Sequence, residues 1–563
     1  MKKVTYYISF LVVFAAIASC KKDFLDRTPG ADLSEEKIFS DPNLAMNYAD
    51  NAYNHLIDEY ARFNAHRGTT SQASDEAVSG NTDVSVRTLN QGLFHDHYER
   101  GGASLNDIGD VWERAYAGIR ITNVMLARIN DVPWTNQPVD RIKGEMYFIR
   151  AFLYFELIKR FGGVPIADKP ATIFDDVDIP RNTYQECVDF ILADLAQADN
   201  LLPVSHNASN YGRATKGAAR SLRSRMLLYA ASTLNNPEHD LAKWKLAVDA
   251  ADSVIKMPEN PYSLQGTYAD ILNVSQSPEY IMIKIRPPRV IDGFLLDFVM
   301  SPGSGGAQGS MNPTQNHVDM YEMQATGLPI TDPASGYDPQ NPYEGRDPRL
   351  KANILYNDAD WQGRKMGMWS QTATNGTVTY GADFRPNNII YSATRYYCRK
   401  MWPEVYVRNT TQRALLNYVF FRYAEILLNY AEASNEYHNS PQADSRIRDY
   451  INEIRGRANM PDIPSNLTKE QMGEVIRHER AVELAFEDHR WYDLIRWKQA
   501  KEILTQPMKG MDVVKKLDGS FTYNVVTLPI IYQKKFEDHM YLYPIPRNEV
   551  FKSQGILIQN PEW

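Results

Sequence analysis

The segment Leu427-Leu428-Asn429-Tyr430-Ala431-Glu432-Ala433 belongs to a run in which apolar residues return every three or four positions. The run comprises Leu416, Val419, Phe420, Tyr423, Ile426, Leu427 and Tyr430. This period places all of them on one face of an α-helix, so the run predicts an amphipathic helix.

Further windows along the chain show the same periodicity and predict more helices. They cover about residues 42–62, 109–131, 139–161, 183–201, 213–234, 240–256, 444–457 and 468–487. Most of them come in pairs, and Tyr and Ala lie along the inner face of residues 427–433. This arrangement is typical of tetratricopeptide-like helical hairpins. The fold class is therefore expected to be mainly α, with a helical scaffold over about residues 40–257 and 413–500.

Residues 258–412 differ from the scaffold, because Gly and Pro are frequent there and Trp and Tyr cluster. Turn-forming strings recur, such as Ser301-Pro302-Gly303-Ser304-Gly305-Gly306. The segment predicts a loop-rich, irregular insertion with short strands at about residues 281–285 and 396–400. Loops carried by a rigid scaffold are the usual place for recognition, so we expect the ligand to bind in this insertion.

The first twenty residues are typical of a processing signal. Lys2 and Lys3 precede an apolar stretch over residues 7–18, which is shorter than the roughly 20 residues that span a bilayer. Residues 1–19 therefore predict a signal peptide. The string Ile17-Ala18-Ser19-Cys20 resembles a bacterial lipobox, in which cleavage leaves Cys20 as an acylated N-terminus and several acyl chains give stable anchoring. An ordinary signal peptide followed by a chance Cys is the alternative.

Charge and cysteine content exclude several classes of protein. Lys and Arg total 61 against 69 Asp and Glu, the formal net charge is -8, and no long basic run occurs. Nucleic acid is therefore not an expected partner. Beyond Cys20 the chain has only Cys187 and Cys398, which exclude a disulfide scaffold and a zinc motif. The sequence leaves two alternatives open: a disulfide between Cys187 and Cys398, or two buried free thiols.

Strings spread over the whole chain resemble one family, the SusD/RagB nutrient-binding lipoproteins. In order they are Cys20-Lys21-Lys22-Asp23-Phe24-Leu25-Asp26, Trp112-Glu113-Arg114-Ala115-Tyr116, Phe161-Gly162-Gly163-Val164-Pro165, Arg213-Ala214-Thr215-Lys216-Gly217, Gly345-Arg346-Asp347-Pro348-Arg349, Arg422-Tyr423-Ala424-Glu425, Arg490-Trp491-Tyr492-Asp493-Leu494 and Tyr541-Leu542-Tyr543-Pro544. Their shared order over more than five hundred residues makes chance agreement implausible.

The resemblance implies one SusD-like domain over residues 20–563, anchored by lipid to the cell outer membrane and facing outward. It implies a binding protein without enzymatic activity or cofactor, which captures a nutrient and passes it to a SusC-like TonB-dependent transporter. An oligo- or polysaccharide is the expected ligand. Starch, fructan, host glycan and peptide remain open.

Signatures of catalysis are weak. The sequence contains no phosphate-binding loop, GxSxG elbow or HExxH helix. His95-Asp96-His97 supplies two metal ligands without a third, so no metal site is predicted. A dense group of charges predicts a structural network of i, i+3 and i+4 ion pairs: Arg477, Glu479, Arg480, Glu483, Glu487 and Arg490. A helical glycoside hydrolase with two carboxylates, or a peptide-binding tetratricopeptide-type lipoprotein, is the alternative function.

A neutral oligosaccharide offers C–H faces for aromatic stacking and hydroxyls for hydrogen bonds. Two non-periodic regions supply such partners. They are Asp75, Arg87, Phe94 and Tyr98 in residues 75–98, and Trp361, Trp369 and Tyr391 in the insertion. Trp361 is the strongest candidate because its polar neighbours predict an exposed indole, so that Trp361→Ala lowers affinity without changing the melting temperature. The alternative is that these aromatics anchor their loops to the core.

Overall fold

The computed structural model describes residues 34–58, 69–80, 85–93, 95–96, 106–171, 179–258, 261–285, 300–305, 309–407 and 415–563. The predicted signal peptide and Cys20 lie outside these residues, and so do Phe94 and Tyr98.

Helices dominate the regular structure and form two groups. The first group is α1 (Glu35–Phe39), α2 (Pro42–Asn51), α3 (Thr70–Ala73), α4 (Ser85–Asn90), α5 (Asn106–Arg128), α6 (Val139–Phe161), α7 (Tyr184–Leu201), α8 (Lys216–Ala231) and α9 (Leu241–Ile255). Two short helices follow, α10 (Gln315–Val318) and α11 (Pro348–Asn353). The second group is α12 (Tyr423–Tyr437), α13 (Arg446–Arg457), α14 (Lys469–Glu483), α15 (Arg490–Arg496), α16 (Ala500–Leu504) and α17 (Arg547–Lys552). The predicted mainly α fold is confirmed. Within the described residues, no helix is both long and apolar enough to cross a bilayer.

The long helices pack against one another in sequence order. Each helix from α5 to α9 packs against the next, α9 packs against α12, and α12 packs against α13 and α14. Because α12 lies on α9, the two groups form a continuous helical scaffold, and the loop-rich segment leaves it and returns.

Side chains at the helix starts explain why the predicted windows begin where they do. Thr183 Oγ1 accepts from the N–H of Glu186 at 3.2 Å, and the Glu186 carboxylate accepts from the N–H of Thr183 at 2.7 Å. This reciprocal cap starts α7. Thr215 caps α8 by accepting from the N–H of Ala218 at 3.2 Å.

The run that begins at Leu416 is a helix only from Tyr423 onward. Residues Tyr418–Arg422 form strand β10, which pairs antiparallel with β2 (Tyr280–Lys284). All five residues of β10 are buried, and four of them are Tyr, Val or Phe, which favour strands. The predicted helix start is therefore wrong, because a fully buried strand has no alternation and its apolar residues imitate helical spacing.

The remaining strands are short. Antiparallel pairs join β1 (Ala77–Ser79) to β3 (Met311–Pro313), β4 (Ile354–Leu355) to β9 (Tyr397–Cys398), and β5 (Asp360–Trp361) to β6 (Arg364–Lys365). A larger sheet has the order β12 (Phe521–Thr527), β11 (Lys509–Lys515), β7 (Ser370–Thr372) and β8 (Val378–Tyr380). Strands predicted near residues 281–285 and 396–400 are confirmed, whereas the β11–β12 hairpin was not predicted. Strands of the insertion and of the C-terminal part thus share one sheet.

Five of the six predicted charged residues take part in buried structural ion pairs, whereas Arg477 is half-buried; the five are Glu479, Arg480, Glu483, Glu487 and Arg490. Their partners lie on other elements rather than one helical turn away, and the pairs around Glu483 form a network. The Glu483 carboxylate accepts from Arg349 at 3.1 Å and from Arg422 at 2.7 Å, and Arg457 also pairs with it. Burial opposes ionisation of Glu483, but these guanidinium groups outweigh it and hold its pKa well below the usual range. Arg422 also pairs with Glu279 and Glu487. The network therefore joins β10, α11, α13 and α14.

Residues 69–77 are clamped to residues 486–490, more than four hundred positions later. Arg490 donates from Nε and from Nη2 to the two carboxylate oxygens of Asp75, each at 2.8 Å, and the N–H of Phe486 donates to Glu76 Oε1 at 2.9 Å. Lys534 Nζ donates to the carbonyl oxygens of Gln72 at 2.8 Å and of Ala77 at 3.0 Å. These contacts fix β1 on the second helical group.

The two internal cysteines are buried and unbridged. Burial raises the pKa of the Cys398 thiol to about 12. Both residues therefore act as small core side chains, and the structure favours buried thiols over a disulfide.

Candidate functional site

Three chain segments meet beside β1. Its pairing with β3 continues at Gly80, whose N–H donates to Ser310 O at 2.9 Å. The third segment joins through the N–H of Gly309, which donates to Ile390 O at 3.0 Å, and through Asn312 Oδ1, which accepts from the N–H of Ala393 at 3.0 Å. This meeting point brings one predicted region, residues 75–98, against the predicted insertion.

Gly80 is required by this close approach. A Cβ atom at this position would lie 2.6 Å from Asn312 Oδ1 and 3.0 Å from the carbonyl oxygen of Tyr391. Any side chain would therefore push the Tyr391 segment away from β1.

Beside this junction lies a surface that we call the tyrosine–arginine rim, formed by Tyr380, Arg385 and Tyr391. The Arg385 guanidinium carbon lies 5.9 Å from the Tyr380 ring centre and 5.8 Å from the Tyr391 ring centre. Both tyrosines are half-buried and Arg385 is exposed. An Arg within about 6 Å of an aromatic face is attracted to it electrostatically, so both contacts favour the observed arrangement of the three side chains.

The rim rests on a rigid base. Arg385 donates to the carbonyl oxygens of Gly381 and Phe384, both at 2.6 Å. Asp383, fully buried, accepts from the Arg364 guanidinium at 2.6 Å and from the N–H of Gly367 at 2.8 Å. Hydrogen bonds to the backbone and to the buried Asp383 carboxylate therefore hold in place the loop that carries the rim.

Two further predicted residues lie near this junction without joining the rim. Arg87, on α4, donates to Ile531 O at 3.2 Å and lies 5.9 Å from the Tyr532 ring centre. Tyr532 packs on the small apolar cluster that includes Val78 of β1. Trp369 precedes Ser370, the pairing partner of Tyr380, so by strand alternation it faces the opposite side of the sheet. There its ring packs under Lys515 Nζ at 4.7 Å.

The expectation for Asp75 is wrong, because this side chain is only 2 % exposed and is occupied by Arg490. Burial alone would raise the pKa of Asp75, but the charge and hydrogen bonds of Arg490 outweigh it and lower the pKa. Asp75 is thus a structural anion beneath the site rather than a ligand contact.

The predicted exposure of Trp361 is also wrong, since its side chain is 1 % exposed. Gln362 and Gly363 both have positive φ and form the two-residue turn of the β5–β6 hairpin. The polar residues next to Trp361 are therefore explained by the turn and not by exposure of the indole. Strand alternation directs the indole into the core, where it packs edge-on against Trp402 with ring centres 5.1 Å apart. Trp361 therefore anchors its loop, as the alternative interpretation held.

Of the predicted ligand residues, Tyr391 is the one that the structure places in the rim, and its binding role stays a prediction. Sequence reasoning missed Tyr380 and Arg385. Their one sequence signal is that they lie with Tyr391 in the same turn-rich stretch, and no local spacing predicts that Arg385 contacts both rings. Phe94 and Tyr98 fall outside the described residues.

Comparison with known proteins agrees with this architecture. A family model described as “SusD family” matches residues 274–563, and one described as “Starch-binding associating with outer membrane” matches residues 23–228. SusD-like protein P2 of Formosa agariphila is 23% identical to this chain, over 100% of both chains. A crystal structure of a SusD-like protein from Bacteroides fragilis is 28% identical, with a TM-score of 0.76 over 95% of this chain and 100% of that chain. A SusD-like carbohydrate-binding protein from the same species is 22% identical, with a TM-score of 0.73 over 92% of this chain and 99% of that chain. The ordered strings of the sequence therefore led to the right family, and the chain belongs to the SusD family.

Proposed function

We propose that this protein binds a glycan at the cell surface through the tyrosine–arginine rim and delivers it to a SusC-like TonB-dependent transporter. The observation that carries the proposal is the exposed Arg385 held between the rings of Tyr380 and Tyr391. The carbohydrate-binding relative of known structure supports a sugar as the ligand class.

The rim offers the two interactions that a sugar needs. A half-exposed tyrosine ring presents an apolar face on which the C–H groups of a pyranose can stack. The Arg385 guanidinium, the phenolic groups and nearby backbone atoms supply hydrogen bonds to hydroxyls. Because the loop is held by Arg385 and Asp383, little conformational entropy is lost when a ligand settles on it.

Binding without catalysis is the proposed activity. Glycoside hydrolysis needs two carboxylates flanking the scissile bond, at least one of them free to exchange a proton. Asp383 is the acidic residue nearest to Arg385 in the sequence, and it is buried and occupied by Arg364, Ser301 and the N–H of Gly367. Incubation with the bound glycan should therefore produce no new reducing ends.

Calorimetric titration of the purified protein against a glycan panel tests the binding site. With the glycan that binds, we expect Tyr391→Ala and Tyr380→Ala each to weaken affinity by roughly 1–3 kcal/mol, as for truncation of an interface hot spot. Ile389→Ala is the matched control, because this side chain is exposed and lies in the same loop. Unchanged affinity in both tyrosine variants would remove the rim from the site.

Anchoring and delivery are tested in cells. We propose that Cys20 is acylated and holds the protein on the outer membrane, so Cys20→Ala should abolish incorporation of labelled fatty acid. A TonB-dependent transporter should co-purify after mild crosslinking and detergent extraction. Recovery of the chain only as a free monomer, or equal labelling of both forms, would contradict the corresponding part of the proposal.

A further inference from the structure

A concave surface lies on the opposite side of the four-stranded sheet from the rim. It is a cleft of about 540 Å³ between residues 340–344, residues 354–360 and β12. We call it the tyrosine cleft, and define it by Glu344, Lys351, Tyr356, Asp358, Arg399 and Tyr523 among its lining residues. Its volume lies within the roughly 300–1,000 Å³ of small-molecule sites.

Aromatic rings form the base of the cleft. Tyr343 and Tyr356 stack with ring centres 4.0 Å apart and planes at 21°, and Tyr523 meets Tyr343 edge-on at 5.6 Å. Tyr343 is buried and its hydroxyl lies 3.1 Å from the hydroxyl of Tyr396. Tyr356 and Tyr523 are half-buried, so each keeps ring surface open above a fixed core.

Hydrogen bonds hold the cleft walls in place before any ligand arrives. Gln340 Nε2 donates to Tyr523 O at 3.0 Å, and Gln340 Oε1 accepts from the N–H of Tyr523 at 3.2 Å. Arg399 donates to Lys351 O at 2.8 Å, and its guanidinium lies 4.9 Å from the ring centre of Trp361. The buried Trp361 thus positions an arginine that lines the cleft.

The charges of the lining are balanced. The cations are Lys351, Lys365 and Arg399, and the anions are Glu344, Asp358 and Asp360. Lys365 and Asp360 pair with each other at 3.0 Å. A strongly anionic or cationic ligand gains little from such a mixture, whereas hydroxyl groups can both donate to and accept from it.

We propose that the tyrosine cleft is a second glycan-binding site, which takes a short segment of a neutral oligosaccharide. It adds a site to the proposed function and shares no residue with the rim. The two sites are separated across the sheet, because Tyr380 pairs with Ser370, Ser370 pairs with Val514, and Val514 pairs with Thr522. Thr522 therefore lies three strand spacings, or about 14 Å, from Tyr380. Tyr523 follows Thr522 and so points to the opposite face from Tyr380. The two sites therefore bind independently.

The test is calorimetry of the full protein with maltohexaose, laminarihexaose, cellohexaose and mannohexaose, with an oligogalacturonate as the anionic probe. For the neutral sugar that binds, we expect two binding events per chain. Tyr523→Ala should remove one and Tyr391→Ala the other. Asn524→Ala is the matched control, since this exposed residue lies on the same strand and points to the other face.

A melting curve identifies any variant that fails to fold, and the double variant Lys351→Ala, Asp358→Asn then replaces Tyr523→Ala. We expect it to weaken the cleft event about tenfold, because it removes the exposed Lys351 ammonium group and the negative charge of the exposed Asp358 without opening the core. The second site is overturned, and the proposed function is kept, if only one binding event occurs, Tyr391→Ala abolishes it and the cleft variants leave it unchanged. Binding of oligogalacturonate alone overturns the neutral ligand class. No binding of any probe overturns both proposals.

Discussion

Replacement of Trp361 by alanine should destabilise the protein rather than weaken a sugar contact directly. The indole is 1 % exposed, packs edge-on against Trp402 and supports Arg399 from below. Truncation of a fully buried Trp costs about 3–5 kcal/mol, since it removes buried apolar surface and leaves a cavity. At an unfolding entropy of roughly 2 cal/mol/K per residue, a chain of 563 residues loses about 1 °C of melting temperature per kcal/mol. We expect a fall of about 3–5 °C in thermal unfolding followed by circular dichroism.

Trp361→Phe is the matched control. The indole N–H of Trp361 is buried and has no hydrogen-bond partner among the described residues. Phe keeps an aromatic ring and removes that unsatisfied donor, so the cost of lost volume is partly offset and the shift should be about 1 °C or less. If Trp361→Ala melts like the unsubstituted protein, the burial argument is refuted, and the indole must be solvated in solution.

Three other substitutions test the network, a buried acid and the β1 junction. Arg422→Met should cost about 3–5 kcal/mol in thermal unfolding, because three buried carboxylates lose their shared guanidinium; a loss under 1 kcal/mol would refute the pairing. Burial raises the pKa of Glu76 to about 7, so the folded state holds this proton more tightly than the unfolded state, and stability declines as pH rises from about 4.5 to 7. Glu76→Gln should remove that decline. Its free energy of unfolding, relative to that of the unsubstituted protein, should therefore rise by up to about 3 kcal/mol between pH 4.5 and pH 8. A difference in melting temperature that does not change with pH would contradict this prediction. Gly80→Ala should lower the free energy of unfolding by about 1–3 kcal/mol and also weaken glycan binding, because the added Cβ would contact Asn312 and displace Tyr391. An unchanged melting temperature and affinity would show that the junction adjusts to the added methyl group.

Helix positions were predictable from the sequence because local signals mark both ends. The window 139–161 matches α6 at each end, and Gly162, with a φ of +72°, ends that helix where an L-residue would be strained. Thr183 and Glu186 mark the start of α7 in the same way. Such signals lie within a few residues of each other and need no knowledge of the fold.

Strand positions were predicted less well, because their partners are distant in the sequence. β10 pairs with β2 across more than 130 residues, and its burial on both faces removes the alternation that marks a strand. The β11–β12 hairpin had a local signal in Asp518-Gly519, a pair that favours tight hairpin turns, between two runs rich in Val, Phe and Tyr.

The candidate sites were the least predictable part of the molecule. Trp361 has polar neighbours in the sequence, yet its burial depends on Trp402, which lies 41 positions later. The stacking of Tyr343 on Tyr356 and the contact of Tyr523 with Gln340 likewise join separate segments. Family resemblance could identify the type of protein, but a ligand surface built from distant loops requires their actual placement.

The clamp between residues 69–77 and residues 486–490 has a consequence for the timing of folding. Its contacts join positions separated by 410 to 418 residues, so they cannot form until nearly the whole chain has been made. At about 5–20 residues per second, the partners of β1 are synthesised on the order of tens of seconds after β1 itself. Contacts of such long range also slow folding, because the entropy of closing the loop must be lost before they form. The surface beside β1 that carries the rim should therefore be among the last parts of the molecule to become native.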